Sequence, residues 1–278
     1  MEPSASRQAK DHVFVDMFNQ PKYCLELFNA LHPEAMDITE ADIENISISH
    51  VIVDKPYNDL GFTVRGRLLV LVEAQSSWSY NILIRLLLYF ADSLLGIIKD
   101  HEEWDVHNHA KLPLPVPEFY VIYTGDKKNV PQVISLKEDY FMNSTVPLDL
   151  KARVISTEGT GDIIGQYIIY THVFDQQVRQ HGYTRKAAEE TVRICKDRGA
   201  LKEYLEAHEK EVINSMIMLF EQEESVKRYG KRKLNEGKLS AYAEMVFDGT
   251  LTVEKAASKL NMTVEQFKEA VEALKVTA

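Results

Sequence analysis

Apolar residues recur at helical spacing through Phe14, Met17 and Phe18, and again through Cys24, Leu25, Phe28 and Leu31. The pattern predicts a helical region from Asp11 to Leu31, divided by Pro21, which breaks the hydrogen-bond ladder. From Ile46 to Val53 the pattern changes to alternation rich in β-branched residues, which predicts a strand. Leu60 to Val64 and Leu68 to Ala74 predict two more strands, with Gly66 in the turn between them. Tyr80 to Lys99 reads as a long helix apolar on more than one side. A proline-rich loop from Asp100 to Pro117 leads to a strand at Phe119 to Tyr123 and a shorter one at Ala152 to Ser156. Helix, three strands, helix and strand, in that order, predict an α/β core with a mixed central sheet.

Beyond Gly161 the periodicity is helical, with candidates at Ile163 to Gln180, Thr184 to Ala207 and Glu209 to Lys233. After Gly237 three short helices are expected, at Leu239 to Phe247, Val253 to Leu260 and Val264 to Leu274. Thr252 caps the second, and Thr263 with Gln266 forms a capping box before the third. The expected domains are a core over 1–175, a helical extension over 176–236 and a small three-helix unit over 237–278.

Composition narrows the class. Of 278 residues 45% are hydrophobic and 27% charged, so the chain is expected to be globular rather than disordered. Apolar runs fall short of the roughly 18 residues a membrane span needs. Residues Met1 to Lys10 lack the apolar stretch of a secretory signal, and Cys24 and Cys195 make no metal spacing. A cytoplasmic protein with reduced thiols and no membrane partner is the expectation. A net charge of −10 argues against coating nucleic acid by bulk electrostatics, but not against a local site that touches a few phosphates.

The chemistry concentrates where Leu68-Leu69-Val70-Leu71-Val72 ends in Glu73-Ala74-Gln75. An aliphatic run of this kind is a strand buried on both faces, and Glu73 and Gln75 share one of them. A carboxylate there needs a partner, and a divalent cation is one. A three-residue loop of Arg65, Gly66 and Arg67 would set Asp59 opposite Glu73; a two-residue loop would set Asn58 there instead. Opposed acids have Cβ atoms roughly 5 Å apart, close enough to share a cation. Magnesium takes about six oxygens and keeps several waters, so Asp59, Glu73 and the Ala74 carbonyl would leave room for a phosphate oxygen. The competing reading has Asp59 capping a turn and Glu73 paired with Arg85.

Asn58-Asp59-Leu60-Gly61-Phe62, Leu71-Val72-Glu73-Ala74-Gln75-Ser76-Ser77-Trp78, Arg85 and Tyr89 together resemble the transposase group of the PD-(D/E)XK nucleases, the recombination-promoting nucleases. Asp11-His12-Val13-Phe14 and Asn29-Ala30-Leu31-His32-Pro33 are similar to that family's opening helices. The resemblance implies a restriction-endonuclease-like core and magnesium-dependent cleavage of DNA, linked to recombination or transposition. It places the family's two metal-binding acids on Asp59 and Glu73 and its third position on Gln75, where many nucleases carry lysine. Glutamine orients a water but cannot take its proton. Arg85, one turn from Tyr89, would clamp a phosphate or hold Glu73. A catalytically weak relative acting as a DNA-binding or protein-interaction scaffold is the alternative.

Other candidates carry less. Asp11 is expected to cap its helix rather than bind metal. His101, His107 and His109 around Trp104 read as a solvated loop rather than a zinc site. Lys227, Arg228, Lys231, Arg232 and Lys233 could track a phosphate backbone or form an ordinary charged helix surface. The last three helices resemble a helix-turn-helix. Glu265, Glu269 and Glu272 on the would-be recognition helix favour a protein contact over a DNA groove. A homo-oligomer formed through this helical C-terminal region is an expected partner arrangement.

Overall fold

In the computed structural model the described residues are 5–35, 37–46, 59–101, 103–107, 109–142, 145–156 and 161–276. Helices α1 (Ala5–Phe18) and α2 (Pro21–Leu31) open the chain. Pro21 occupies the first turn of α2, where its missing N–H has no partner to lose. Strands β1 (Ile43–Ile46), β2 (Asp59–Val64) and β3 (Leu68–Gln75) follow, then α3 (Ile82–Lys99) and β4 (Val116–Tyr123). Two shorter strands, β5 (Val133–Ser135) and β6 (Lys151–Ile155), complete one sheet in the order β1-β2-β3-β4-β6-β5. β1, β2 and β3 are antiparallel neighbours; β3, β4 and β6 run parallel; β5 returns antiparallel at the edge. The expected α/β class with a mixed sheet is what the chain forms.

The hairpin register follows the three-residue loop. Val64 faces Leu68 and Asp59 faces Glu73. Arg65 and Gly66 both take left-handed backbone, φ 51° and 60°, as a tight turn between right-twisted strands requires. Glycine adopts it freely, whereas Arg65 is held there by Asp42, Nε to Oδ1 2.9 Å. Pro117 lies in β4 opposite Leu69, before β6 joins at Tyr120. It therefore meets only one neighbouring strand and spoils no second ladder.

Side-chain alternation sends the two faces of β3 to different cores. Val70, Val72 and Ala74 join Leu60, Phe62, Tyr120 and Ile122 against α1, α2 and the helix α4 (Ile163–His181). Leu69 and Leu71 join Val121, Tyr123 and Val154 against Ile82, Leu83, Leu86 and Tyr89 of α3. Full burial of each such side chain is worth about 1.5–3 kcal/mol. Glu73 and Gln75 therefore stand on the α3 side, at the end of that second core.

Several boundaries depart from the sequence expectations. β1 begins at Ile43, and the expected strand beyond Ile46 lies outside the described residues. β5 and the π-helical turn Leu136–Tyr140 were not expected; three residues are too few to show a period. The helix expected over Thr184 to Ala207 divides into α5 (Arg185–Asp197) and α6 (Lys202–Ala207). Between them Leu201 takes φ 52°, with its N–H donated to Oε1 of Gln166 at 3.0 Å. Gly237 does not end a helix either: α7 runs from Glu209 to Phe247. Asp11 lies inside α1, which starts at Ala5, so it is not a helix cap.

The chain divides into two compact units, 1–220 and 221–278. α4, α5, α6 and Val212, Met216 and Phe220 of α7 pack into the core of the first. In the second, α8 (Val253–Lys259) and α9 (Val264–Val276) close a small core of Leu239, Ala256, Ala257 and Phe267. Its caps form as expected. Thr263 N–H donates to Gln266 Oε1 at 2.9 Å, and Gln266 N–H to Thr263 Oγ1 at 3.2 Å. No helix among the described residues is long and apolar enough to cross a membrane.

Candidate active site

The site is assembled by three elements that converge at the carboxyl end of β3. β2 begins with Asp59 directly opposite Glu73. Glu73 is 2% exposed and Gln75 9%. The Gln75 carbonyl accepts the Thr124 N–H at 2.9 Å, extending the parallel ladder beyond β4. Because carbonyls alternate along a strand, the Ala74 carbonyl is directed to the β2 side, where Asp59 lies.

The third element is α3. Its first turns carry Arg85 to Glu73, and the guanidinium Nη2 donates to Glu73 Oε1 in a direct ion pair. Arg85 Nε is buried and makes no hydrogen bond among the described residues. Tyr89, one turn on, is 4% exposed. The pairing named as the rival to a metal site is thus present, and it offsets the desolvation of a carboxylate with almost no contact to water.

The donors gathered here are oxygens: the Glu73 carboxylate, the Gln75 amide oxygen and the Ala74 carbonyl, with Asp59 facing Glu73 by register. Oxygen donors suit magnesium rather than a softer ion, and magnesium retains water where protein ligands are few. Among the described residues no group of three His, Cys, Asp or Glu side chains is placed to hold a metal.

Residues beyond the hairpin also converge on this end of the sheet. Arg7 of α1 donates to Ser77 Oγ at 3.1 Å, four residues past Glu73. The N-terminal segment reads as a merely polar terminus in sequence, although Arg7 and Lys10 stand three apart on one helix. That spacing was the available signal.

The other candidates have surroundings of their own. His101 stacks on Trp104, ring centroids 4.0 Å apart. Within the basic run of α7, Lys227 pairs with Glu223 and Lys233 with Glu236. The exposed positions of α9 include Glu265, Glu269 and Glu272. Cys24 and Cys195 are buried free thiols, each pushed up to about 12 by burial. No family model matches the chain, and neither the curated proteins nor the solved structures give a match.

Proposed function

We propose that the chain is a magnesium-dependent nuclease of restriction-endonuclease-like architecture that hydrolyses DNA phosphodiesters, in a role tied to recombination or transposition. One observation carries the reading: Asp59 and Glu73 are register partners at the mouth of a buried hairpin, with Gln75 two residues on. The run α2-β1-β2-β3-α3-β4, antiparallel through β3 and parallel from β3 to β4, supports it as a scaffold.

Asp59, Glu73 and the Ala74 carbonyl would hold the ion. Bound there, magnesium would acidify a coordinated water and neutralise developing phosphate charge. Gln75 would accept a hydrogen bond from the attacking water and so fix its direction. Being an amide it cannot take the proton, which leaves through a phosphate oxygen or solvent. Arg85 would keep Glu73 ionised and aimed, and present its remaining donors to a phosphate. Hydrolysis forms a bond from the water oxygen to phosphorus and breaks the bond to the leaving sugar oxygen, which takes up a proton.

The Glu73–Arg85 pair also favours a second reading, a nuclease-like scaffold without turnover, because a carboxylate already neutralised does not require a cation. Purified protein incubated with supercoiled, linear and single-stranded DNA separates the two. Magnesium- or manganese-dependent cleavage lost in Asp59→Ala and Glu73→Ala is expected. Cleavage surviving both substitutions would sink the assigned site. A rise in melting temperature on adding magnesium, absent in Glu73→Ala, would support the ion site independently of turnover.

A further inference from the structure

Beyond the carboxyl ends of the parallel pair β3 and β4 lies a polar cleft of about 400 Å³. Arg7, Lys10, Ser77, Gly125, Asp175 and Arg179 are among its lining residues. We propose that this cleft is a phosphate subsite, binding a phosphate group of the DNA strand held at Glu73. The assignment rests on the nuclease reading for its ligand and extends it to residues the hairpin does not supply.

Position is the first argument. Ligands of open α/β sheets bind in the crevice past the carboxyl ends of parallel strands. Ser77 is four residues from Glu73, a separation of at most about 14 Å along extended chain, or the helical rise of roughly four nucleotides. A strand crossing the end of the sheet would reach both.

Charge is the second. In a chain of net charge −10 this cleft gathers three cations against Asp126 and Asp175. Two of the cations are engaged. Lys10, 4% exposed, donates to both carboxylate oxygens of Asp175 at 2.9 Å, and Arg179 pairs with Asp126 at 3.1 Å. Arg7 differs. Its guanidinium is steadied by the Ser77 hydroxyl at 3.1 Å and has no carboxylate partner among the described residues, so its donor fork is left for a ligand oxyanion.

The floor is the third. A Cβ on Gly125 would meet the Ser76 carbonyl at 2.2 Å and the Tyr123 hydroxyl oxygen at 2.5 Å. The strand ends are pressed together there, and the residues they bring to the cleft, Ser76, Ser77, Thr124 and Gly125, are all small. Glycine is therefore required there for the two strand ends to pack, and the cleft beside them offers the hydroxyls of Ser76, Ser77 and Thr124 as donors to an oxyanion. An α1–α4 clamp made by Lys10 and Asp175 alone would need neither the cleft nor the Arg7–Ser77 contact.

The test measures binding of short fluorescent oligonucleotides by anisotropy in chelator, where no cleavage intervenes. Each is offered with a 5′-phosphate and with a 5′-hydroxyl. Arg7→Ala should weaken binding about tenfold and lower the salt slope by about one, as expected for one lost phosphate contact. Arg7→Lys should fall between, and Ser77→Ala should give part of the loss. Arg67→Ala, which removes an exposed charge at the turn end of the hairpin, should change little. A loss confined to the phosphorylated oligonucleotide assigns the cleft to a terminal phosphate; an equal loss with both assigns it to an internal diester. Arg7→Ala binding like wild type, with an unchanged salt slope, overturns the proposal, and so does wild type that binds neither oligonucleotide. Cleavage in magnesium is read separately. Arg7-dependent binding without cleavage keeps the subsite and ends the nuclease reading, and cleavage without an Arg7 effect does the reverse.

Discussion

The β2–β3 hairpin has a guanidinium–carboxylate pair at each end, and the two do different work. At the turn, the side chains of Arg65 and Asp42 are 49% and 24% exposed. At the opposite end, Arg85 is 33% exposed and Glu73 only 3%. Water and salt can replace either partner in the first pair, so its contribution to stability is small and its effect is local, fixing a left-handed arginine in the turn. In the second pair the carboxylate cannot be rehydrated without opening the α3 side of the core. The lesson is that the same two functional groups are a geometric clip at one end and a charge-compensating necessity at the other.

The largest expected effect comes from removing one partner of the buried pair. Arg85→Ala should lower unfolding free energy in urea by about 3–5 kcal/mol, because it strands the Glu73 charge. Glu73→Gln should cost less, since Arg85 can still reach water. Replacing both by leucine should recover most of the loss. Equal losses for Arg85→Ala and Arg65→Ala would erase the contrast.

Smaller effects belong to the turn. Arg65→Ala should lower stability by less than any single change at Arg85, and the difference from wild type should shrink at about 1 M salt, where charges are screened within about 3 Å. The smallest is a pH effect. Hydrogen bonds from Arg65, then from Thr39 N–H and hydroxyl, hold the Asp42 carboxyl well below the usual carboxylate range. Its contribution is therefore present above the ordinary Asp pKa, near 3.8, and is lost as pH falls below it. Wild type and Asp42→Asn should differ at pH 7 and converge in acid. A difference that grows as pH falls would reverse the assignment.

What was legible in sequence followed from short-range rules. Period-two alternation with a central glycine narrows the hairpin to two registers, of which the three-residue loop sets Asp59 opposite Glu73, and an arginine one turn into the following helix offers a partner for Glu73. What was not legible depends on contacts made across the chain. Leu201 takes the left-handed N-cap position of α6 with its N–H accepted by the Gln166 side chain, 35 residues earlier. Asp11 suggests a cap when the helix is taken to start there, whereas α1 starts at Ala5. Gly237 suggests a boundary, since glycine costs a helix about 1 kcal/mol against alanine. That penalty is offset by the Lys233–Glu236 pair beside it and by Leu239, Tyr242, Ala243 and Val246, which the continuing helix packs into the second core. Arg7 escaped notice because its partner, Ser77, is 70 residues away.

The helix α7 has a consequence of its own. From Glu221 to Lys238 no residue is buried, and two glycines interrupt a stretch steadied by side-chain pairs one turn apart. Single turns there can open without disturbing either core, so their amide protons should exchange with heavy water early, and earlier still as salt weakens the pairs. The amides of β3 sit between two packed faces and should exchange only when the first unit unfolds. One continuous helix thus contains backbone that opens more easily than the packed turns at either of its ends, and a protease that cuts within α7 would cut there.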